Sequence, residues 1–161
     1  MDLRTVRRSI IEPALLLLPA KMESPQAVVM LMAIGLQESH FEYRRQLGNG
    51  PARSYWQAEQ GGGMVTGLLR YRVDSVRDLA AGLCIVRGVA PAAPDVWRAI
   101  ERDDILAAGL ARLLLFTDPA RLPALGDEAG AWDLYLRTWR PGKPRPKEWP
   151  ENYAAALDAA R

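Results

Sequence analysis

The sequence predicts an all-α domain. Apolar residues recur at helical spacing in several segments. Capping residues and prolines stand where helices should start and stop. No stretch of useful length alternates with the period of a strand. With 161 residues, 49% apolar and 25% charged, the chain fits one domain, 1–161, with a real core, and a disordered chain is excluded. Residues 1–20 add an N-terminal helix to that domain.

The elements follow in order. A first helix is predicted over Val6 to Leu18, its Leu15–Leu18 run serving as core. Ser24 and Pro25 place an N-cap before a proline at the first helical position, a strong start signal. The helix from Pro25 to about Glu38 is apolar almost all round, as a buried central helix must be. His40 to Gly63 is polar and dotted with glycine. It is predicted to be irregular, with room for a small β-like flap.

Asp74 is expected to cap a helix over Ser75 to Arg87, ended by Gly88. A short helix follows around Asp95 to Glu101. Asp103 or Asp104 caps Ile105 to Phe116, and Asp127 caps Glu128 to Arg140, where Pro141-Gly142 stops it. Pro150 to Ala160 reads as the last helix.

Composition narrows function more by exclusion than by assignment. The net charge of +2 with a pI near 8.9 mildly favours anionic partners. The arginines are scattered and no recognition helix stands out, so nucleic acid is not expected. Cys84 is the one cysteine and His40 the one histidine. No metal cluster or Ser-His-Asp system is therefore expected, and Cys84 reads as core. Gly61-Gly62-Gly63 lacks a following Lys-Ser/Thr and reads as a flexible turn. Arg4, Arg7 and Arg8 before "IIEPALLLLPA" faintly resemble a secretory leader, but Glu12 and Pro13 interrupt the apolar run. No segment approaches the ~20 apolar residues of a membrane span.

Carboxylate chemistry survives. Glu38 stands at the end of the most apolar helix. The negative end of the helix dipole and partial burial both disfavour its ionised form. Both favour a carboxyl that stays protonated near neutral pH, as a general acid requires. A solvated helix-end glutamate is the plainer alternative.

The motif "ESHF", Glu38 to Phe41, resembles the Glu-Ser-x-Phe motif of lytic transglycosylases with the lysozyme-like fold. "GPARSYWQ", Gly50 to Gln57, resembles the glycine-rich turn ending in glutamine that follows it in that family. "DILAAGLARLLL" is similar to a later helix of the family, with Ile105 and Gly109 in matching places. "YLRTWRPGKP" is similar to its Tyr-Asn-x-Gly element, with Trp139, Arg140 and Gly142 as counterparts. Tyr153 resembles a tyrosine near the family's C-terminus. Pro51 and Ser54 replace two glycines, and Trp139-Arg140 replaces Tyr-Asn.

The resemblance implies an enzyme of bacteriophage type that needs no cofactor. It would cut peptidoglycan strands between N-acetylmuramic acid and N-acetylglucosamine. Glu38 would act first as acid and then as base, leaving a 1,6-anhydro end. Ser39, Tyr55, Trp56, Gln57, Glu59, Trp139 and Arg140 are the expected substrate-binding residues. Ser39 can equally be a local cap, and Tyr55, Trp56 and Trp139 can equally be core. Glu59, or less readily Glu42, can serve as the second carboxylate of a hydrolytic muramidase. Arg137, Arg140, Lys143, Arg145 and Lys147 can hold anionic wall polymer or form a solvated face. The implied setting is a phage particle or the host cytoplasm, with action on the cell wall and contacts to other virion proteins. A structural virion part is the competing role.

Overall fold

The computed structural model describes residues 1–161 and is all-α, with eight helices and almost no strand. They are α1 (Leu3–Val6), α2 (Glu12–Leu16), α3 (Pro25–Ser39), α4 (Asp74–Val86), α5 (Ala93–Ala99), α6 (Asp104–Phe116), α7 (Glu128–Trp139) and α8 (Trp149–Ala159). One cluster of 41 buried apolar residues draws on every helix.

The N-terminal helix is integral to that core. Val6, Ile10, Ile11, Ala14, Leu15 and Leu18 are all buried. Between α1 and α2 the chain widens into π-helical turns over Arg7–Ile11, closed by Glu12 N–H donating to the Arg7 carbonyl. The wide turn comes just before Pro13, which has no N–H to return to the preceding turn. A 3₁₀ turn over Ala20–Met22 then leads to α3.

Two helices form the centre. In α3, eleven residues are buried, including everything from Ala27 to Gly35. Ser24 caps it, accepting from Ala27 N–H at 3.1 Å. In α6, the ten residues Leu106–Leu115 are all buried. Asp103 caps that helix by accepting from Leu106 N–H at 2.9 Å. α3 packs most extensively on α8, and α6 packs on α2 and α4. Asp127 caps α7 as expected, accepting from Gly130 N–H at 2.9 Å. Gly88 turns the chain after α4 with φ +71°, a conformation that favours glycine.

Two expectations need correction, and a third is sharpened. Asp74 is not a cap: Val73 takes that position without a side-chain bond. Asp74 instead pairs with Arg77 one turn on at 2.6 Å. The glycine-rich 61–63 stretch is not merely a turn, because Gly63–Gly67 winds into a π-helical segment. Between His40 and Gly62 no strand forms, only isolated bridges from Arg53 to Arg45 and to Ala58. That irregular loop is tied down from outside. Arg44 forks Asp104 with two bonds of 2.8 Å. Arg45 and Arg53 share Glu101, and Trp97 Nε1 donates to the Pro51 carbonyl at 2.8 Å.

Candidate active site

α3 ends at a cleft of about 1240 Å³. The last carbonyls of a helix lack internal donors, and here each finds one. Leu36 O accepts from His40 N–H and Ser39 O from Glu42 N–H. Gln37 O accepts from the Arg145 guanidinium, and Glu38 O from the Tyr43 hydroxyl. Gln37 adds two side-chain bonds of its own, donating to Arg145 O and accepting from Asn152 Nδ2. The helix terminus is therefore fixed in place before Glu38 does anything.

Glu38 projects into the cleft with its side chain held. Tyr135 donates its hydroxyl to Glu38 Oε1 at 2.6 Å, leaving Oε2 without a protein donor. Tyr135 itself is buried and stacks on Trp149 at 5.4 Å and 12°. Burial holds the Glu38 carboxyl above the usual carboxylate range, and the Tyr135 bond and the Arg145 charge offset only part of that. Burial and the neighbouring Glu38 push the Tyr135 phenol up as well, so it stays a donor.

The strap facing the α3 terminus is pinned carbonyl by carbonyl. Ser54 O accepts from Gln57 Nε2 at 2.8 Å, Tyr55 O from Ser39 Oγ at 2.7 Å, and Trp56 O from Trp139 Nε1 at 3.0 Å. Ser39 and Trp139 thus weld the loop to α3 and α7, and Gln57 braces it from within. Backbone strain gathers here too. Six non-glycine residues have positive φ: His40, Phe41, Asn49, Ser54, Gln57 and Arg140. Gln57 and Arg140 line the cleft, and His40 and Phe41 come two and three residues after Glu38. Such conformations cost about 1–3 kcal/mol each and cluster where function demands a fixed geometry.

Of the expected site residues, Glu38, Gln57, Glu59, Trp139 and Arg140 line this one cleft. Three do not. Trp56 is 0% exposed and its indole donates to Leu31 O inside the core. Tyr55 is buried against Phe41, with Arg44 over its ring at 4.4 Å. Neither ring has a face for a sugar. Ser39 is 0% exposed and bonds only backbone groups, as the cap-like alternative required. Glu42 is outside the cleft, whereas Asp118 lines it but is forked by Arg137 at 2.9 and 3.2 Å. Tyr153 supports the α6–α7 loop, its hydroxyl accepting from Gly126 N–H at 3.1 Å.

Tyr135 and Tyr43 were not anticipated, and Arg145 was expected only as part of a basic run, not as the donor to Gln37 O. Tyr135 belongs to an aromatic stripe visible in the sequence, Trp132-Tyr135-Trp139 at helical spacing. Nothing local shows that it meets a carboxylate 97 positions earlier. No three His, Cys, Asp or Glu side chains converge as a metal site would need, and no helix is long and apolar enough to cross a membrane. Comparison of the chain with protein-family models, curated proteins and solved structures finds no match.

Proposed function

We propose that this chain is a peptidoglycan-cleaving glycosidase with a lysozyme-like site, acting as a lytic transglycosylase on the muramic acid–glucosamine β-1,4 bond. The observation that carries the reading is Glu38. It is a partly dry carboxyl with one oxygen held by Tyr135 and the other free towards a cleft that Gln57 also lines. The Glu-Ser-x-Phe and Gln57 resemblance supplies the substrate class.

Glu38, protonated, gives its proton to the glycosidic oxygen as the C1–O bond breaks. The glucosamine leaves with a free hydroxyl, and the acetamido group of the muramoyl ring stabilises the cationic C1. Glu38, now a carboxylate, takes the proton from the muramoyl C6 hydroxyl while O6 bonds to C1. The proton count closes on one residue, and the product is a 1,6-anhydro end.

Glu38→Gln tests this on purified peptidoglycan. Lysis should fall roughly 10²–10⁴-fold, the scale of general acid–base catalysis. The fold should not suffer. Because the folded carboxyl sits above its ordinary range, ionised Glu38 costs stability once the pH exceeds its folded pKa. Glutamine removes that cost, so the variant melts no lower than wild type at neutral pH, and any gain vanishes in acid. Wild-type lysis by the variant ends the catalytic role of Glu38. Products of the wild type with only hydrated reducing ends would make the enzyme a muramidase, with Glu59, which lines the same cleft, as the base.

A further inference from the structure

The cleft has a cationic rim contributed by one segment, Arg137 to Arg145. Its four cations are not equivalent. Arg137 is neutralised by Asp118. Arg145 pairs with Glu148 at 3.2 Å and donates to Gln37 O. Arg140 and Lys143 line the same cleft and have no ion-pair partner. Lys147, the next cation along, lies outside it.

Arg140 is also held ready. It ends α7 in the left-handed conformation, φ +50°, with Pro141 following. Its Nε donates back to Arg137 O at 3.3 Å, which leaves both terminal amino groups free. A guanidinium so presented forks a carboxylate, and little freedom is lost when it does. Prolines 141, 144 and 146 bracket Lys143 and stiffen the segment that carries it.

We propose that Arg140 and Lys143 form an anion subsite that takes a carboxylate carried on the muramoyl substituent of the strand in the cleft. This rests on the glycosidase reading above and names what that site selects. A neutral amino-sugar polymer would leave the two cations unpaired. A carboxylated strand would pair them in the cleft that Glu38 also lines. The carboxylate can be that of a peptide stem or, on a bare strand, of the lactyl group.

The test compares cleavage of native peptidoglycan strands with strands whose carboxylates have been amidated with carbodiimide and ammonia. Wild type should favour native strands by about fivefold in kcat/KM, the scale of two partly solvated charge pairs. The difference should sit in KM and shrink as salt is raised. Arg140→Gln with Lys143→Gln should bring the ratio close to one, and Arg140→Lys with Lys143→Arg should restore much of it. Lys147→Gln should leave the ratio unchanged. Amidase-stripped strands separate the sources, because the lactyl carboxyl is an amide wherever a stem is attached. A preference for stripped strands over their amidated form shows that the subsite also takes the lactyl carboxylate, and its absence assigns the stem alone. Equal cleavage of native and amidated strands by wild type overturns the subsite while the glycosidase stands. A ratio unmoved by the double variant, or moved as far by Lys147→Gln, overturns it too. If wild type cleaves no strand at all, the glycosidase reading fails and the subsite with it.

Discussion

Glu38 closes α3, and Arg112 lies in the middle third of α6. Each is a charged side chain in a helix that is otherwise apolar and buried. Their surroundings differ in kind. Glu38 has a hydroxyl donor at 2.6 Å, a nearby cation and an open cleft. Arg112 is 4% exposed, donates through Nε to Met22 O at 2.8 Å, and leaves Nη1 buried without a partner. Burial pushes its guanidinium down to about 10, so it remains charged at neutral pH. A buried charge becomes usable chemistry when one of its atoms reaches open space and the others are held. Without that opening it is only a desolvated ion.

The mount under Glu38 is the first place to break this contrast. A Cβ on Gly35 would lie 2.1 Å from Phe41 Cζ. Phe41 is 1% exposed and packed edge-on against Tyr55 and Trp56, so its ring has nowhere to go. Gly35→Ala gains roughly 0.5–1 kcal/mol in helix preference. It loses roughly 1–3 kcal/mol to overpacking, and overpacking wins. The thermal midpoint should fall by several degrees, and lysis should fall further than stability alone explains, because the Glu38 terminus shifts. A midpoint at or above wild type would show that the α3 end is not rigidly packed.

Removing the donor that holds Glu38 is a smaller change with a sharper readout. Tyr135→Phe costs about 1 kcal/mol of stability, the usual worth of one hydrogen bond. The lost bond favoured the ionised carboxylate, so the Glu38 pKa must rise further. In the proposed mechanism Glu38 starts the reaction protonated, so the alkaline limb of the pH–rate profile should move to higher pH. A limb that stays put, or moves down, means Tyr135 does not govern the ionisation of Glu38.

Much of the fold could be read from local signals, and the site only in part. Ser24-Pro25, Asp103 and Asp127 mark helix starts because capping acts over three residues. Asp74 misled because an aspartate before an apolar helix serves equally well in the first turn, where Arg77 lies one turn away. Trp56 and Tyr55 misled for another reason. An aromatic beside a motif looks the same whether its ring faces a cleft or a core, and the choice depends on distant Leu31 and Phe41. That Glu38 and Gln57 line one cleft could be expected from their motif. Tyr135 was not, because its role exists only when α7 folds across the end of α3. The irregular 40–62 loop hid its order likewise: Arg44, Arg45 and Arg53 find Asp104 and Glu101 only in the folded chain.

Arg112 offers the smallest effect and the cleanest check on the contrast. Arg112→Met keeps a long flexible side chain in the same slot while removing the charge. Met22 O loses its donor, which costs about 1 kcal/mol. Against that, an ion and an orphaned Nη1 are no longer buried. Replacing buried charges with apolar groups of similar volume is often neutral or stabilising. The two contributions nearly cancel, so stability should stay within about 1 kcal/mol of wild type, and peptidoglycan cleavage should be unchanged because Arg112 does not line the cleft. A loss of roughly 3 kcal/mol or more would show that the guanidinium is a true clamp between α6 and the Ala20–Met22 turn. The two charges would then differ in task rather than in value to the fold.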